Sequence, residues 1–465
     1  MRIVTSRKDI VWNYFGTAVS LGSNFILLPF LVHYLNGNEL GLWYVYLSIG
    51  SLVMLFEFGF NPTFARNFAF CWGGAQELVR EGKSDVISET VNRDLLASLL
   101  SASRSVYGIV TAVATVLLAF PGTWYILHVS ESLDRRYVLV SWVVYCVSVL
   151  INLYFLYFAA LLRGAGLVAT DNRIKIVSRV LQVGLSAVLL WTGAGLFGAA
   201  IGFLVGAVLY RVLGSLVFWR DERVSALDLK RVYVDKVSRR EIYSTISFNA
   251  YRDGLVQIAN FGSTQSSSII CSMFLTLTET GEFSLALQLA TGLSSIALAL
   301  VNSYRPMIQA DFQRGDAFSI RKAVGKGAVG YLLVYMLGYG LLMVLIVPLI
   351  NVVGAHLAFD ALLFSGISIY VLLFGWHSLF SSVLSCMNQI PYLGAYALSA
   401  LAGIVLSIVL VGVFGMGAWG LVLGMAMPNL AYNNWKWPRY TSRRLDSTVS
   451  RLLKIGGREL CGIKS

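Results

Sequence analysis

Charged and chemically reactive side chains are scarce in this sequence of 465 residues. Asp, Glu, Lys and Arg together make up only 13%, the five cysteines have no paired spacing, and the four histidines are dispersed. Paired cysteines would indicate disulfides or a metal site, and grouped Ser, His and Asp would indicate a catalytic centre. The sequence therefore predicts no metal, no cofactor and no enzyme activity.

Apolar residues dominate instead, at 57% of the chain and a mean hydropathy of +0.70. One soluble core could not bury this much apolar surface, so the composition indicates a polytopic, all-α membrane protein. A spanning helix needs roughly 20 apolar residues. Segments of this kind lie near 10–33, 40–60, 97–120, 138–162, 177–194, 196–219, 244–272, 281–304, 326–350, 357–388, 392–413 and 415–436. We therefore expect about 12 transmembrane helices.

The distribution of basic residues supports this count. With twelve spans, 32 of the 36 Lys and Arg residues fall on one side, whereas Arg135 and Arg136 fall on the other. The positive-inside rule then predicts that both termini are cytoplasmic. It also accounts for most of the net charge of +12, together with attraction to anionic membrane lipids, so we expect no nucleic acid partner. Arg211 and Arg252 remain inside predicted spans.

An internal repeat appears when the chain is aligned with itself at an offset of 240 residues. Residues 20–41 then face residues 260–281, with the identities Gly22/Gly262, Ser23/Ser263, Leu35/Leu275, Glu39/Glu279 and Gly41/Gly281. This predicts two six-helix lobes in the same orientation, as in transporters with parallel repeats. The predicted domains are an N-terminal lobe at 1–220, a cytoplasmic linker at 221–243, a C-terminal lobe at 244–437 and a basic cytoplasmic tail at 438–465.

Polar residues form matching stripes on the first and seventh predicted spans. At helical spacing, one stripe contains Asn249, Asp253, Gln257, Asn260 and Thr264, and the other contains Asn13, Thr17, Ser20 and Asn24. Exposing such stripes to lipid would cost free energy, so they predict a hydrated central cavity between the lobes. The alternative is hydrogen bonding between packed helices.

Charges near this predicted cavity are candidates for substrate and ion contacts. Arg252 lies in span seven, and Arg66 and Arg305 fall at the cytoplasmic mouth, where they could attract a phosphate. Membrane anchoring of these arginines is the alternative. Glu57 and Asp253 could take up a coupling ion, a proton or sodium, or could instead form salt bridges with Arg66 and Arg252.

Two stretches resemble a known family. "NELGLWYVYLSIGSLVMLFEFGFNPTFARNFAFCWGGA" and "AALLRGAGLVATDNRIKIVSRVLQ" at 159–182 resemble the polysaccharide transporters of the multidrug/oligosaccharidyl-lipid/polysaccharide (MOP) exporter superfamily, specifically the O-antigen flippases. The run from Gly59 to Arg66 and the Leu-Arg-Gly step at 162–164 are the more specific parts. In span number and loop pattern the resemblance covers nearly the whole chain.

The resemblance implies a V-shaped pair of lobes around a cationic cavity in the bacterial inner membrane. It implies a flippase for undecaprenyl-pyrophosphate-linked oligosaccharide, with a glycan polymerase and chain-length machinery as partners. A polar passage would replace the hydration that the headgroup loses in hydrocarbon. In this interpretation Arg252, Arg66 and Arg305 bind the pyrophosphate. The sugar hydroxyls bind Asn13, Asn24, Asn249, Gln257 and Asn260, while Trp12 and Trp43 are interfacial anchors.

Two other functions remain open. A cation-coupled drug antiporter of the same superfamily would show acids dominating the cavity, and its deletion would change toxin resistance. A membrane glycan polymerase or ligase would change glycan length, and would be expected to carry a sizeable extramembrane loop. The mildly cationic balance and the short predicted loops argue against both.

Overall fold

The computed structural model describes residues 26–78, 90–229, 264–314, 316–353, 359–387 and 391–460, together with residues 22, 88 and 389 and isolated positions between 242 and 262. Regular structure in these residues is helical. The chain divides into two compact units, Met1–Gln257 and Ile258–Ser465, which we call the N-terminal and C-terminal units.

The N-terminal unit contains nine labelled helices in its described part. They are α1 (Gly37–Met54), α2 (Phe60–Trp72), α3 (Arg93–Leu117), α4 (Thr123–Val129), α5 (Arg135–Tyr154), α6 (Tyr157–Gly164), α7 (Val168–Trp191), α8 (Gly195–Arg220) and α9 (Glu222–Ala226). A π-helical turn, Leu118–Gly122, joins α3 to α4 without interrupting the helix.

The C-terminal unit continues with nine further labelled helices. They are α10 (Ser266–Phe274), α11 (Leu277–Arg314), α12 (Ala317–Leu341), α13 (Val347–Val353), α14 (Ala361–Cys386), α15 (Leu393–Gly412), α16 (Gly417–Pro428), α17 (Asn434–Arg444) and α18 (Val449–Leu460). The π-helical turns Leu342–Ile346 and Asn429–Asn433 join α12 to α13 and α16 to α17.

Nine helices in the described residues are long and apolar enough to cross a membrane. They lie at predicted spans two to six and eight to eleven, which confirms the all-helical, polytopic membrane architecture. Predicted span one falls largely outside the described residues, and predicted span seven is described only in part. The predicted twelfth span, 415–436, coincides with α16, its π-helical turn and the start of α17.

The repeat offset of 240 residues also relates two helix starts. Glu39 and Asn36 form a reciprocal capping box before α1, because each side chain bonds the backbone N–H of the other residue. Glu279 and Thr276 form the same pair of bonds at the start of α11. Equivalent positions in the two halves therefore start their helices in the same way.

Small residues allow α7 and α8 to approach closely. Gly198, Gly202 and Gly206 form a ridge on one face of α8, for which the sequence predicts simple close packing. A Cβ on Gly202 would overlap Ser186, and one on Gly206 would lie 2.8 Å from the Gln182 Cβ. The glycines thus serve helix packing.

The tryptophan predicted as an interfacial anchor is instead a core residue. Trp43 is completely buried in the N-terminal unit, where its ring packs edge-on against Phe203 and Tyr145 at centroid distances of 5.0 and 5.8 Å. The prediction was wrong because hydropathy alone does not show which face of α1 meets other helices. Trp12 lies outside the described residues.

Candidate functional site

A break interrupts the predicted span 40–60. The helix tightens into the 3-10 turn Leu55–Glu57, and Phe58 and Gly59 then take left-handed φ values of 45° and 71° before α2 begins. Glycine adopts this conformation easily, whereas Phe58 must be held there by its surroundings. The Glu57 carboxylate accepts a hydrogen bond from the backbone N–H of Asn61 in the first turn of α2. It thereby stabilises the positive end of that helix.

A second break, between α5 and α6, contacts the first. The Asn61 side-chain amide donates a hydrogen bond to the Leu156 carbonyl at 3.1 Å, and Arg211 Nη1 on α8 donates one to the Phe155 carbonyl at 3.3 Å. Both carbonyls also accept backbone N–H groups within the turn. Side chains of α2 and α8 therefore add a second bond to each carbonyl and connect the two breaks.

A buried carboxylate connects α6, α7 and α8. Asp171, in the first turn of α7, is 1% exposed and lies 2.9 Å from Lys175 Nζ and 3.5 Å from Arg163 Nε. It also accepts a hydrogen bond of 2.7 Å from the Tyr210 hydroxyl. This carboxylate thus has three donors from three helices, which is the saturation that a buried charge requires.

Arg211 is far less well satisfied. Arg211 is 6% exposed, its guanidinium lies over the Tyr210 ring at 4.5 Å, and its Nη1 donates a hydrogen bond to the Phe155 carbonyl. Arg211 Nε is buried without a hydrogen-bond partner in the described part of the chain. Burying a charge inside a membrane helix costs free energy. Because the hydrogen bonds of Arg211 are incomplete, this residue is a candidate for a functional rather than a stabilising role.

The two breaks and the buried carboxylate form one connected set. Arg163 Nη1 lies 3.5 Å from Asn61 Oδ1, and the Tyr107 hydroxyl donates to Glu57 at 3.4 Å. We call this set the N-unit polar network; it comprises Glu57, Asn61, Tyr107, Arg163, Asp171, Lys175, Tyr210 and Arg211. With its two acids and three bases ionised, the network carries a formal charge of +1. It is cationic within the N-terminal unit itself.

The residues predicted from sequence are distributed unevenly in the structure. Glu57 belongs to the N-unit polar network. Arg66 on α2 is exposed, Arg305 on α11 is partly exposed, and Gln257 and Asn260 are partly exposed and exposed, respectively. Five others, Asn13, Asn24, Asn249, Arg252 and Asp253, lie outside the described residues. Arg66 and Arg305 belong to different units, so the predicted cavity between the lobes stays a prediction.

Sequence reasoning missed most of the network. The positive-inside rule counts Arg163 and Lys175 among the 32 basic residues on one side, and the sequence identifies Arg211 only as a charge within a span. Two sequence features could have indicated the network. Asp171 lies four residues before Lys175 near a helix start, and Tyr210 and Arg211 are adjacent within an otherwise apolar segment.

A second buried polar cluster lies in the C-terminal unit. Asn433 in the π-helical turn donates to Ser399 and to Asn429, each at 2.9 Å, and His377 Nδ1 lies 2.7 Å from Asn434 Oδ1. The cluster contains no carboxylate in these contacts. No group of three His, Cys, Asp or Glu side chains suited to a metal ion occurs among the residues that the structure describes.

Glu57 substitutions would show whether hydrogen bonds or charge account for the stabilisation of α2 by this residue. Glu57→Gln keeps an oxygen that can accept the Asn61 and Tyr107 hydrogen bonds, so we expect wild-type thermal stability. Glu57→Leu removes this cap and should destabilise the protein by about 1 kcal/mol. Thermal unfolding in detergent measures both. If Glu57→Gln is as unstable as Glu57→Leu, the charge rather than the hydrogen bonds stabilises α2.

The fold of the chain is shared with known transporters at low sequence identity. It is similar to an inward-facing multidrug resistance MATE family transporter of the MOP superfamily, with a TM-score of 0.67 and 14% identity over 96% of this chain and 99% of that one. It is also similar to the lipid II flippase MurJ, with a TM-score of 0.66 and 13% identity over 97% and 91% of the two chains. A MOP superfamily transporter from Pyrococcus furiosus gives a TM-score of 0.54 and 15% identity over 94% of this chain and 95% of that one.

Comparisons of sequence add no closer assignment. No protein family model matches the chain, and no curated protein matches it either. The structural comparisons alone show that the chain has the fold of MOP superfamily transporters, and this fold fits a multi-pass membrane protein.

Proposed function

We propose that the protein is a flippase that moves an undecaprenyl-pyrophosphate-linked oligosaccharide from the cytoplasmic to the periplasmic leaflet of the bacterial inner membrane by alternating access. The observation that carries the proposal is a fold shared along nearly the whole chain with a lipid II flippase. The cationic N-unit polar network supports it, because an anionic headgroup crossing hydrocarbon needs positive charge and hydrogen bonds in place of water.

The site residues retain the roles predicted from the sequence. In this proposal Arg252, Arg66 and Arg305 contact the pyrophosphate. Asn13, Asn24, Asn249, Gln257 and Asn260 bond the sugars, and Asp253 and Glu57 respond to a coupling proton or sodium. Both termini are cytoplasmic, and a glycan polymerase and its chain-length machinery receive the product.

A drug antiporter is the second candidate, because the fold is equally similar to a multidrug transporter. The distribution of charge favours the flippase: the described buried network has more bases than acids, which would repel a cationic drug. A glycan polymerase or ligase is disfavoured because the shared folds belong to proteins named as transporters.

The deciding experiment measures movement of a lipid-linked oligosaccharide in reconstituted vesicles, with and without an imposed ion gradient. We expect transport by the wild type and a loss of at least tenfold in Arg252→Ala, equivalent to about 1.4 kcal/mol. Arg136→Ala, at the start of α5, removes an exposed charge and serves as the matched control.

Three outcomes would contradict parts of the proposal. Full transport by Arg252→Ala would remove that residue from the mechanism. Wild-type vesicles that move a cationic drug but no lipid-linked oligosaccharide would establish the antiporter. A change in glycan length on incubation with substrate would indicate the polymerase or ligase.

A further inference from the structure

Three cations share one exposed face of α18. Arg451, Lys454 and Arg458 are exposed, and at roughly 100° per residue they fall within an arc of about 60°. Leu452 and Gly456 are buried on a different side of the helix. The helix is therefore amphipathic, with a basic face directed away from the protein.

The buried side of α18 is fixed tightly to α12. A Cβ on Gly325 or on Gly456 would overlap the backbone of the opposite helix, so the two helices meet nearly backbone to backbone. Such an approach requires glycine at both positions. The basic face is consequently presented in a fixed orientation.

The acid of α18 is already paired with α12. Glu459 lies 2.8 Å from Lys322 Nζ and 3.1 Å from Lys326 Nζ. Hydrogen bonds from these lysines lower the pKa of Glu459, so its carboxylate stays ionised at neutral pH. The cations at 451, 454 and 458 have no acidic partner among the residues that the structure describes.

The residues that precede α18 have a pattern typical of the membrane interface. The π-helical turn Asn429–Asn433 and the start of α17 carry aromatic residues with cations over their rings: Lys436 over Tyr432 at 5.9 Å and Arg439 over Trp435 at 5.6 Å. Tryptophan and tyrosine beside Lys and Arg are typical of the membrane interface. Because α18 follows α17 and packs on the first turns of the α12 span, it lies at the end of that span, where lipid headgroups are expected.

We propose that Arg451, Lys454 and Arg458 form a binding surface for the headgroups of anionic phospholipids in the adjoining leaflet. A basic side chain near an anionic membrane surface gains on the order of 1 kcal/mol, and the gain is screened by salt. Three such side chains on a helix fixed to a span hold that span at a defined position relative to an anionic leaflet. The proposal is independent of what the protein transports.

Hydrogen exchange of the α18 backbone amides tests the proposal in the full-length protein. We expect exchange in nanodiscs of phosphatidylcholine with phosphatidylglycerol to be at least about tenfold slower than in phosphatidylcholine alone. The triple variant R451Q/K454Q/R458Q should lose this lipid dependence while exchanging like the wild type in phosphatidylcholine, because its contacts with α12 are unchanged.

The control removes three exposed charges elsewhere, in R135Q/R136Q/R220Q, and should keep the full lipid dependence. If the α18 triple variant fails to fold, the wild type at high salt provides the same test, because screening should abolish the difference between lipids. Equal exchange of wild-type α18 in the two lipid mixtures at low salt would overturn the proposal. It would then favour an acidic soluble partner for this face.

Discussion

Arg211→Met is expected to fold as stably as the wild type and yet to lose at least tenfold in the proposed transport of lipid-linked oligosaccharide. The guanidinium is buried with one hydrogen bond, a stacking contact on Tyr210 and an unpartnered Nε. Replacing a poorly satisfied buried charge by an apolar residue of similar volume is often neutral or stabilising. We therefore expect the free energy of unfolding to change by no more than about 1 kcal/mol in the destabilising direction.

The expected loss of transport has a separate cause. Arg211 donates a hydrogen bond to the Phe155 carbonyl in the break between α5 and α6. Its positive charge also gives the N-unit polar network its net charge of +1. Without it, the ionised network is formally neutral. Thermal unfolding and transport by reconstituted vesicles measure the two effects independently. Arg211→Lys keeps the charge and should retain more transport than Arg211→Met. A methionine variant that is several kcal/mol less stable would show instead that the charge serves the fold.

Much of the fold could be predicted because it depends on local signals. Apolar segments of sufficient length identified the spans, and the paired motifs Asn36–Glu39 and Thr276–Glu279 mark equivalent helix starts. These signals act over a few residues, so they can be recognised in a single sequence.

The candidate site was harder to predict because its contacts are distant in sequence. Asn61 bonds the carbonyl of a residue 95 positions away, and Asp171 bonds Tyr210, 39 positions away. In the sequence, a basic residue at the end of a span also looks the same whether it anchors the helix at the membrane surface or pairs with a buried acid. Only packing distinguished these roles for Arg163 and Lys175.

The repeat itself concealed one feature. At the offset of 240 residues, Glu57 and Gly59 correspond to Ala297 and Ala299, and α11 continues through those positions as one helix of 38 residues. Alanine offers neither a capping carboxylate nor an easy left-handed conformation. The break is therefore specific to the first half, and with it the polar network that surrounds it.

Asp171→Ala should have the opposite effect to Arg211→Met, because it removes the one group that satisfies several others. Lys175 and Arg163 would lose their acid, and the Tyr210 hydroxyl would lose its acceptor. Loss of one partner from a buried ion pair costs roughly 3–5 kcal/mol. Because Arg163 is 43% exposed and partly screened by solvent, we expect about 3 kcal/mol, seen as a fall in apparent Tm of several degrees.

Two companion variants show which interaction is responsible. Asp171→Asn keeps an acceptor for Tyr210 and should lie between Ala and the wild type. Lys175→Met in the Asp171→Ala background removes the uncompensated ammonium and should recover part of the lost Tm, so that the double variant is more stable than Asp171→Ala alone. If Lys175→Met fails to improve Asp171→Ala, the hydrogen bond to Tyr210 accounts for the stability. The carboxylate would then stabilise the protein as a hydrogen-bond acceptor that joins α7 to α8, and its negative charge would not contribute to stability.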